Sequence, residues 1–328
     1  MGVNVDMERL LALDLVEVTE AAALAAARWM GQGDNTAADQ ASVEAMRASL
    51  GELEIDGVVV IGEGERDEAP MLYIGEKVGQ HNGEVQVDIA VDPLEGTNLV
   101  ARGAANAISV IAISERGGLL HAPDTYMEKL IVGPLAAGKV DMEYPVQANL
   151  QIIADSLNRH VTDLTIMILD RPRHEQLIRE VRQVGSRIKL IPDGDLTAAI
   201  SVAVSGTGDH AVMGTGGAPE GVISAAAIRC LGGEIQGRIK PRNEEDAERA
   251  TSMGIDLSKV YRTEELASGE NILVACTGVT GGDLFEGVRL FGGGARTHSL
   301  VMSYQTGKIR FVDTVHLLQR GAVGSVRL

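Results

Sequence analysis

The chain has 328 residues, 45% hydrophobic and 23% charged, the balance of a soluble globular protein that buries one large core or two. Its 46 acidic side chains outnumber 29 basic ones, for a net charge of −17. Such a surface repels polyanions and carries no concentrated basic patch, so no nucleic-acid partner is expected. No apolar run reaches the length of a membrane span, and the first residues lack a basic region followed by an apolar one. Gly2 offers no myristoylation signal, because Asp6 stands where Ser or Thr is needed. A cytoplasmic protein with no membrane partner is the expectation.

Aromatic residues make up 3% of the chain, with a single tryptophan, Trp29, so the core must be aliphatic. Helical periodicity rich in Leu and Ala covers residues 7 to 30 and stops at Gly31 and Gly33. A second amphipathic helix is predicted over 39 to 50, opened by Asp39, with Val43, Met46 and Leu50 on one side. Strands are predicted over 58–61, 85–91 and 107–114, paired antiparallel where no helix intervenes. The pattern changes near residue 150. Strands at 164–169, 188–191 and 210–213 alternate with helices at 174–184, 196–204 and 221–231, the order of a covered parallel sheet of Rossmann-like topology. Residues 243–250 read as a solvated helix face, and the last third returns to strands with a hairpin-like SLVMSYQTGKIRFVDTVHLL. An α+β domain over 1–150 and a Rossmann-like domain over 151–328 with C-terminal strands are therefore expected. Cys230 and Cys276 lie in apolar contexts that suit buried packing.

The chemistry concentrates in DPLEGT, residues 92–97. Val85, Val87, Ile89 and Val91 share one face of the preceding strand, and Asp88 and Asp92 share the other. Pro93 is expected to stop the ladder, Gly96 to allow a tight turn, and Thr97 to cap the next helix. Two carboxylates, a hydroxyl and free backbone N–H groups thus meet at a strand end. Carboxylates hold hard divalent cations and a helix N-terminus holds phosphate, a combination suited to metal-assisted phosphate chemistry.

Other acidic residues recur just beyond predicted strand ends or at helix starts: Glu63 and Glu65 in IGEGERDEAP, Asp39, and Glu220 in GTGGAPEGV. Carboxylates at helix starts are common for dipole reasons alone, but here several are flanked by glycines that let the backbone come close. GTGGAPEG fails as a dinucleotide fingerprint because Pro219 stands where the third glycine is required. Arg171 and Arg173 in DRPRHE suit bidentate phosphate binding or a plain surface role. Asp193 and Asp195 in PDGD suit sugar hydroxyls or capping of the next helix. His121, His174 and His298 have no partner at metal-ligand spacing, and no nucleophile elbow or Walker loop is present.

DPLEGT resembles the DPxDG[TS] motif of the lithium-sensitive sugar and inositol phosphatases. Taken with IDGVVVIGEGERDEAPMLYIGE, APDTYMEKL, DRPRHE, PDGD and GTGGAPEGV, it resembles the class II fructose-1,6-bisphosphatases over nearly the whole chain. EGTNLVA and GGARTHSLVM with IRFVDTVH resemble the cyanobacterial branch, which also hydrolyses sedoheptulose-1,7-bisphosphate. The resemblance implies a layered αβαβα fold and Mn²⁺ or Mg²⁺ held by Asp39, Glu63, Asp92, Glu95 and Glu220. It implies Thr97 as activator of the attacking water. Asp67 or Glu65 is the carboxylate expected to assist it. Substrate contacts are implied at Glu95, Gly96, Thr97, Tyr126, Arg171, Pro172, Arg173, Asp193, Gly194, Asp195 and Gly217.

The small-molecule partner implied is a sugar bisphosphate, and the assembly a homo-oligomer, dimer or tetramer. One departure stands out: many relatives carry a lysine where Asn35 follows Asp34. The rival readings are a sugar or inositol monophosphatase, which does not need the remote arginines, and a sugar-phosphate-binding regulatory protein without catalysis.

Overall fold

A computed structural model describes residues 7–64, 71–80 and 85–317. It is an α/β fold with two mixed β-sheets flanked by helices. The chain opens with α1 (Met7–Ala27) and α2 (Asn35–Leu50), followed by β1 (Asp56–Ile61), β2 (Lys77–Val78), β3 (Gln86–Glu95), α3 (Thr97–Arg102) and β4 (Ile108–Glu115). Next come β5 (Tyr126–Val132), α4 (Val146–Ser156), β6 (Thr165–Leu169), α5 (Glu175–Val184), β7 (Arg187–Ile191), α6 (Asp195–Ala203), β8 (Ala211–Gly217) and α7 (Ala218–Leu231). The remainder is β9 (Glu234–Lys240), α8 (Glu244–Ser252), β10 (Tyr261–Arg262), α9 (Thr263–Leu266), β11 (Leu273–Gly278), β12 (Arg289–Phe291), β13 (Gly294–Ser303) and β14 (Lys308–Leu317).

The first sheet runs β12-β13-β11-β4-β3-β1-β2, with β14 on the free side of β13. The second runs β10-β9-β5-β8-β6-β7. Strands from the last part of the chain therefore complete the first sheet, and β5 belongs to the second. The parallel β-α units expected in the second half form around β6, which pairs β7 and β8 in parallel, whereas β5, β9 and β10 join antiparallel.

Aliphatic burial holds three layers of contact. Leu11, Leu15 and Val18 of α1 and Val43, Met46 and Leu50 of α2 pack with Val59, Ile89 and Ile111 on one face of the first sheet. Val222, Ile223, Ala226 and Ile228 of α7 pack between the sheets, with Val60, Ala90 and Val110 on one side and Met127, Ile131 and Val212 on the other. Leu150 and Ile153 of α4 and Val181 of α5 cover the far face of the second sheet, against Ile166 and Ile168. Both cysteine thiols are shielded, and burial pushes Cys230 up to about 12.

Three local expectations are corrected. β1 and β3 pair in parallel, Gly57 opposite Val87, because β2, antiparallel to β1, intervenes between them. Helix α2 starts at Asn35, not at Asp39: Asp34 is its N-cap and accepts from the Ala37 N–H at 2.9 Å, which places Asp39 one turn inside. Pro93 does not end β3. The ladder to β4 shifts register between Asp92 and Glu95, so Pro93 and its missing N–H fall in a bulge and pairing resumes at Glu95 opposite Ile108.

Candidate active site

Parallel pairing of β1 and β3 brings their C-terminal ends side by side, so Glu63 beyond β1 and Asp92 and Glu95 in β3 share one sheet edge. β3 also meets α7, whose first turn carries Glu220. Carboxylate oxygens of Asp92, Glu95 and Glu220 lie within 4.8 Å of one another. They line a cleft of about 310 Å³ together with Asp39, Glu63, Gly96, Thr97, Asp124 and Asp193. Gly217 precedes Glu220 by three positions, and a Cβ at that glycine would run into the Glu220 carboxylate, so a side chain there would displace that carboxylate.

Packing so many carboxylates together makes their ionisation costly. Burial pushes Glu63 up to about 7, and repulsion from Asp39 and Glu220 adds to it. Burial also holds Asp92 and Glu95 well above the usual carboxylate range, each repelled by its acidic neighbours. Asp39 is raised by burial, and Glu220 by burial and then by Asp195. Glu220 Oε2 is buried and has no hydrogen-bond partner among the described residues. Hard oxygen donors that repel one another, one of them orphaned, fit a divalent cation, whose charge offsets the repulsion.

Thr97 is the first residue of α3, not its cap. Gly96 holds that position with φ of +86°, and the Thr97 hydroxyl donates to the Leu94 carbonyl at 3.1 Å. Its oxygen keeps acceptor capacity and lines the cleft. Glu65 and Asp67 lie outside the described residues.

A second group assembles around the turn after β6. The Arg173 guanidinium lies 4.7 Å from the centroid of the Tyr126 ring and donates through Nε and Nη2 to the Thr215 carbonyl at 3.1 and 2.7 Å. Arg171 donates to the carbonyls of Asp170 and Pro192 at 3.0 and 2.7 Å. Pro172 opens the short turn between them. His174 has a satisfied structural role: its Nδ1–H donates to the Leu169 carbonyl at 2.7 Å, and its Nε2 accepts from the Thr215 N–H at 2.7 Å. Burial lowers its pKa, in keeping with a neutral ring. One half-buried and one exposed cationic side chain, Arg171 and Arg173, are thus braced by backbone carbonyls.

The loop after β7 lies between these groups. Gly194, with φ of +85°, is the cap residue of α6, so Asp195 falls inside the helix and does not cap it. The cap function comes from the other sheet, where Glu95 Oε1 accepts from the Leu196 N–H at 3.0 Å. Asp193 accepts from Asn98 at 3.4 Å, and Asn98 in turn accepts from Asn35 at 3.3 Å. Asn35 therefore belongs to the rim of the site. Sequence reasoning missed Lys129, whose ammonium meets Asp195 Oδ2 at 2.8 Å. The available signal was a lysine on the same strand face as two apolar residues, Met127 and Ile131.

A model of the family described as bacterial fructose-1,6-bisphosphatase, glpX-encoded, matches residues 9–316. Three similar proteins bear the description D-fructose 1,6-bisphosphatase class 2/sedoheptulose 1,7-bisphosphatase. That of Synechococcus sp. (strain JA-3-3Ab) is 55% identical, covering 95% of this chain and 96% of that protein. That of a Synechocystis strain is 52% identical, covering 95% and 97%. That of Trichodesmium erythraeum is 51% identical, covering 95% and 97%.

Proposed function

The chain belongs to the class II fructose-1,6-bisphosphatase family, and from that premise we propose that it hydrolyses the 1-phosphate of fructose-1,6-bisphosphate, and the corresponding ester of sedoheptulose-1,7-bisphosphate, with Mn²⁺ or Mg²⁺. The products are the sugar monophosphate and inorganic phosphate. The observation that carries this reading is the convergence of Asp92, Glu95 and Glu220 oxygens within 4.8 Å, in a cleft shared with Thr97.

Asp92, Glu95 and Glu220 would hold the cation, with Asp39 and Glu63 on the same cleft wall available for a second. Divalent cations supply positive charge to the phosphate and make water acidic enough to attack near neutral pH. The Thr97 hydroxyl, tied to Leu94 O through its hydrogen, accepts from the attacking water and orients it. Arg171 and Arg173 with Tyr126 grip the remote phosphate, which fixes the sugar and aligns the ester for in-line displacement. Asp193 and Asp195 accept from sugar hydroxyls, and Gly96, Gly194 and Gly217 let the backbone approach. A carboxylate from Glu65 or Asp67 assists Thr97. Arg171 and Arg173 reverse, locally, the field of a chain with net charge −17.

The first 150 residues supply four of the five metal carboxylates and residues 151–328 supply Glu220 and the arginine pair, a division into metal-binding and sugar-phosphate-binding parts. The same reading takes the fold as αβαβα with a Rossmann-like second half, supported by α7 between the sheets and by the parallel trio β7-β6-β8. It places the enzyme in the cytoplasm as a homo-oligomer, dimer or tetramer. Exposed Ile309, Phe311, Val315 and Leu317 along the edge strand β14 support a self-associating surface.

The test is inorganic phosphate release from each bisphosphate with Mn²⁺ or Mg²⁺, beside a chelator control. Metal-dependent release from fructose-1,6-bisphosphate is expected, and the ratio of the two rates fixes the dual activity. Folded, metal-loaded protein that releases phosphate from neither would overturn the proposal.

A further inference from the structure

Lys129 is 3% exposed and sits on β5 between the fully buried Met127 and Ile131 on the same strand face. Its Nζ lies 2.8 Å from Asp195 Oδ2, and the two side chains are 2% and 10% exposed. The surrounding backbone is kept clear for the pair. A Cβ at Gly216 would collide with the Asp195 carboxylate and stand 3.2 Å from Lys129 Nζ. Buried ion pairs of this kind add little stability over apolar residues of similar volume, because desolvation offsets the attraction. Stability alone therefore gives no reason for a lysine here.

Position gives one. Asp195 is near enough to Glu95 and Glu220 to raise both by repulsion, while Lys129 opposes that effect on Glu220. Yet the close oxygen group comprises Asp92, Glu95 and Glu220 without Asp195. We propose that Lys129 is a positioning residue that divides the acidic cluster in two: its ammonium holds Asp195 Oδ2 away from the metal carboxylates and leaves Oδ1 to accept from a sugar hydroxyl. The fold thereby keeps a metal-binding set and a sugar-binding carboxylate as neighbours without mixing them. This deepens the proposed function and rests on Asp195 as a sugar contact.

The test combines Lys129→Met, Lys129→Arg, Asp195→Asn and the double variant Lys129→Met/Asp195→Asn. It reads kcat and KM for fructose-1,6-bisphosphate and, separately, Mn²⁺ binding by calorimetry without substrate. Lys129→Met is expected to raise KM about tenfold or more with a smaller change in kcat, matching loss of a charge-assisted hydrogen bond. It is expected to tighten Mn²⁺ binding severalfold, because the freed Asp195 carboxylate joins the cation's ligands. Lys129→Arg restores most of the KM. In the Asp195→Asn background, Lys129→Met adds nothing to KM and no longer tightens Mn²⁺.

Folded Lys129→Met with unchanged KM and unchanged Mn²⁺ affinity overturns the proposal, as does a KM penalty that adds in full to that of Asp195→Asn. If Lys129→Met does not fold, Gly216→Ala presses on the same pair with Lys129 in place, and unchanged KM and Mn²⁺ affinity there overturns it equally. A wild-type protein inactive on every sugar bisphosphate sinks the functional reading instead. The Mn²⁺ comparison then still decides whether Lys129 keeps Asp195 from the cation.

Discussion

Glu95 Oε1 accepts a 3.0 Å hydrogen bond from the Leu196 N–H, which joins the last residue of β3 in the first sheet to the first turn of α6 beside the second. One carboxylate thus faces the cation site and fixes the helix that carries Asp195. Glu95→Gln separates these duties, since an amide oxygen still accepts from Leu196 but the charge is gone. Turnover should fall by more than about 100-fold, given that even outer-shell partners of metal ligands cost 10–100-fold. The melting temperature without metal should hold or rise, because repulsion with Asp92 is relieved. Phosphate release near the wild-type rate would remove Glu95 from the reaction.

The raised carboxylates give pH dependence a definite sign. Glu63 titrates at about 7 in the folded, metal-free protein against an ordinary 4.5. The folded state holds its proton longer than the unfolded state, so this group's contribution to stability is full below about 4.5 and is lost as pH rises through about 7. In chelator, the wild type should lose more thermal stability than Glu63→Gln between roughly pH 5 and pH 8. Mn²⁺ should bind more tightly over the same range, releasing protons as it does. Parallel melting curves for the two proteins across that range would contradict the assignment.

Arg173 and Tyr126 form a cation–π pair at 4.7 Å, with the guanidinium steered by the Thr215 carbonyl. Arg173→Ala should raise KM for the bisphosphate about 10- to 100-fold, the worth of a charge-assisted phosphate contact of roughly 1.5–3 kcal/mol. Sugars lacking the remote phosphate should be turned over as before. An equal loss on mono- and bisphosphates would mean that Arg173 acts on the reacting ester and not on the remote one.

Thr97 offers a hydroxyl whose hydrogen is already committed to Leu94 O. Thr97→Val keeps the shape and should lower kcat about 10²- to 10⁴-fold, the usual range for a lost acid–base or water-orienting group, with KM little changed. Thr97→Ser should retain a large share of the rate. Similar rates for Val and Ser variants would sink the role.

Gly217→Ala places a methyl group where the Glu220 carboxylate lies. Overpacking of this kind costs about 1–3 kcal/mol, and here the carboxylate must move away from Asp92 and Glu95. Calorimetry should show Mn²⁺ affinity falling at least tenfold with the fold retained by circular dichroism. Unchanged affinity would mean that the cleft tolerates a displaced Glu220.

Most elements were legible because their signals are local. Leu11, Leu15, Val18 and Ala22 in α1 and the β-branched run of β3 state their geometry in a few residues. Glu63, Asp92, Glu95, Asp193 and Glu220 in the cleft were legible through glycine flanks and strand ends, whereas Asp124, on the same cleft, was not. What escaped was set by distant pairing. The parallel match of β1 with β3 depends on how the intervening chain returns, and the bulge that carries β3 through Pro93 depends on β4 accepting a shifted register. Asp34 took the cap that Asp39 was expected to open because only alanines, Ala37 and Ala38, stand between them as apolar residues, too small to mark the helix start by periodicity. Lys129 was invisible as a functional residue because its partner, Asp195, is far along the chain and reaches it only when β5 joins the second sheet.

The return of β11 to the first sheet also fixes an order of events at the ribosome. β4, almost wholly buried in the finished protein, needs β11 along one side, and β11 begins only at Leu273. Translation at roughly 5–20 residues per second leaves that edge without its partner for on the order of ten to thirty seconds. During this interval α4 to α7 and β5 to β9 are all made, and the second sheet can close. The half of the molecule synthesised first is the half completed last. A nascent chain halted inside the second sheet presents the apolar edge of β4 to its neighbours, the point at which a holding chaperone has most to protect.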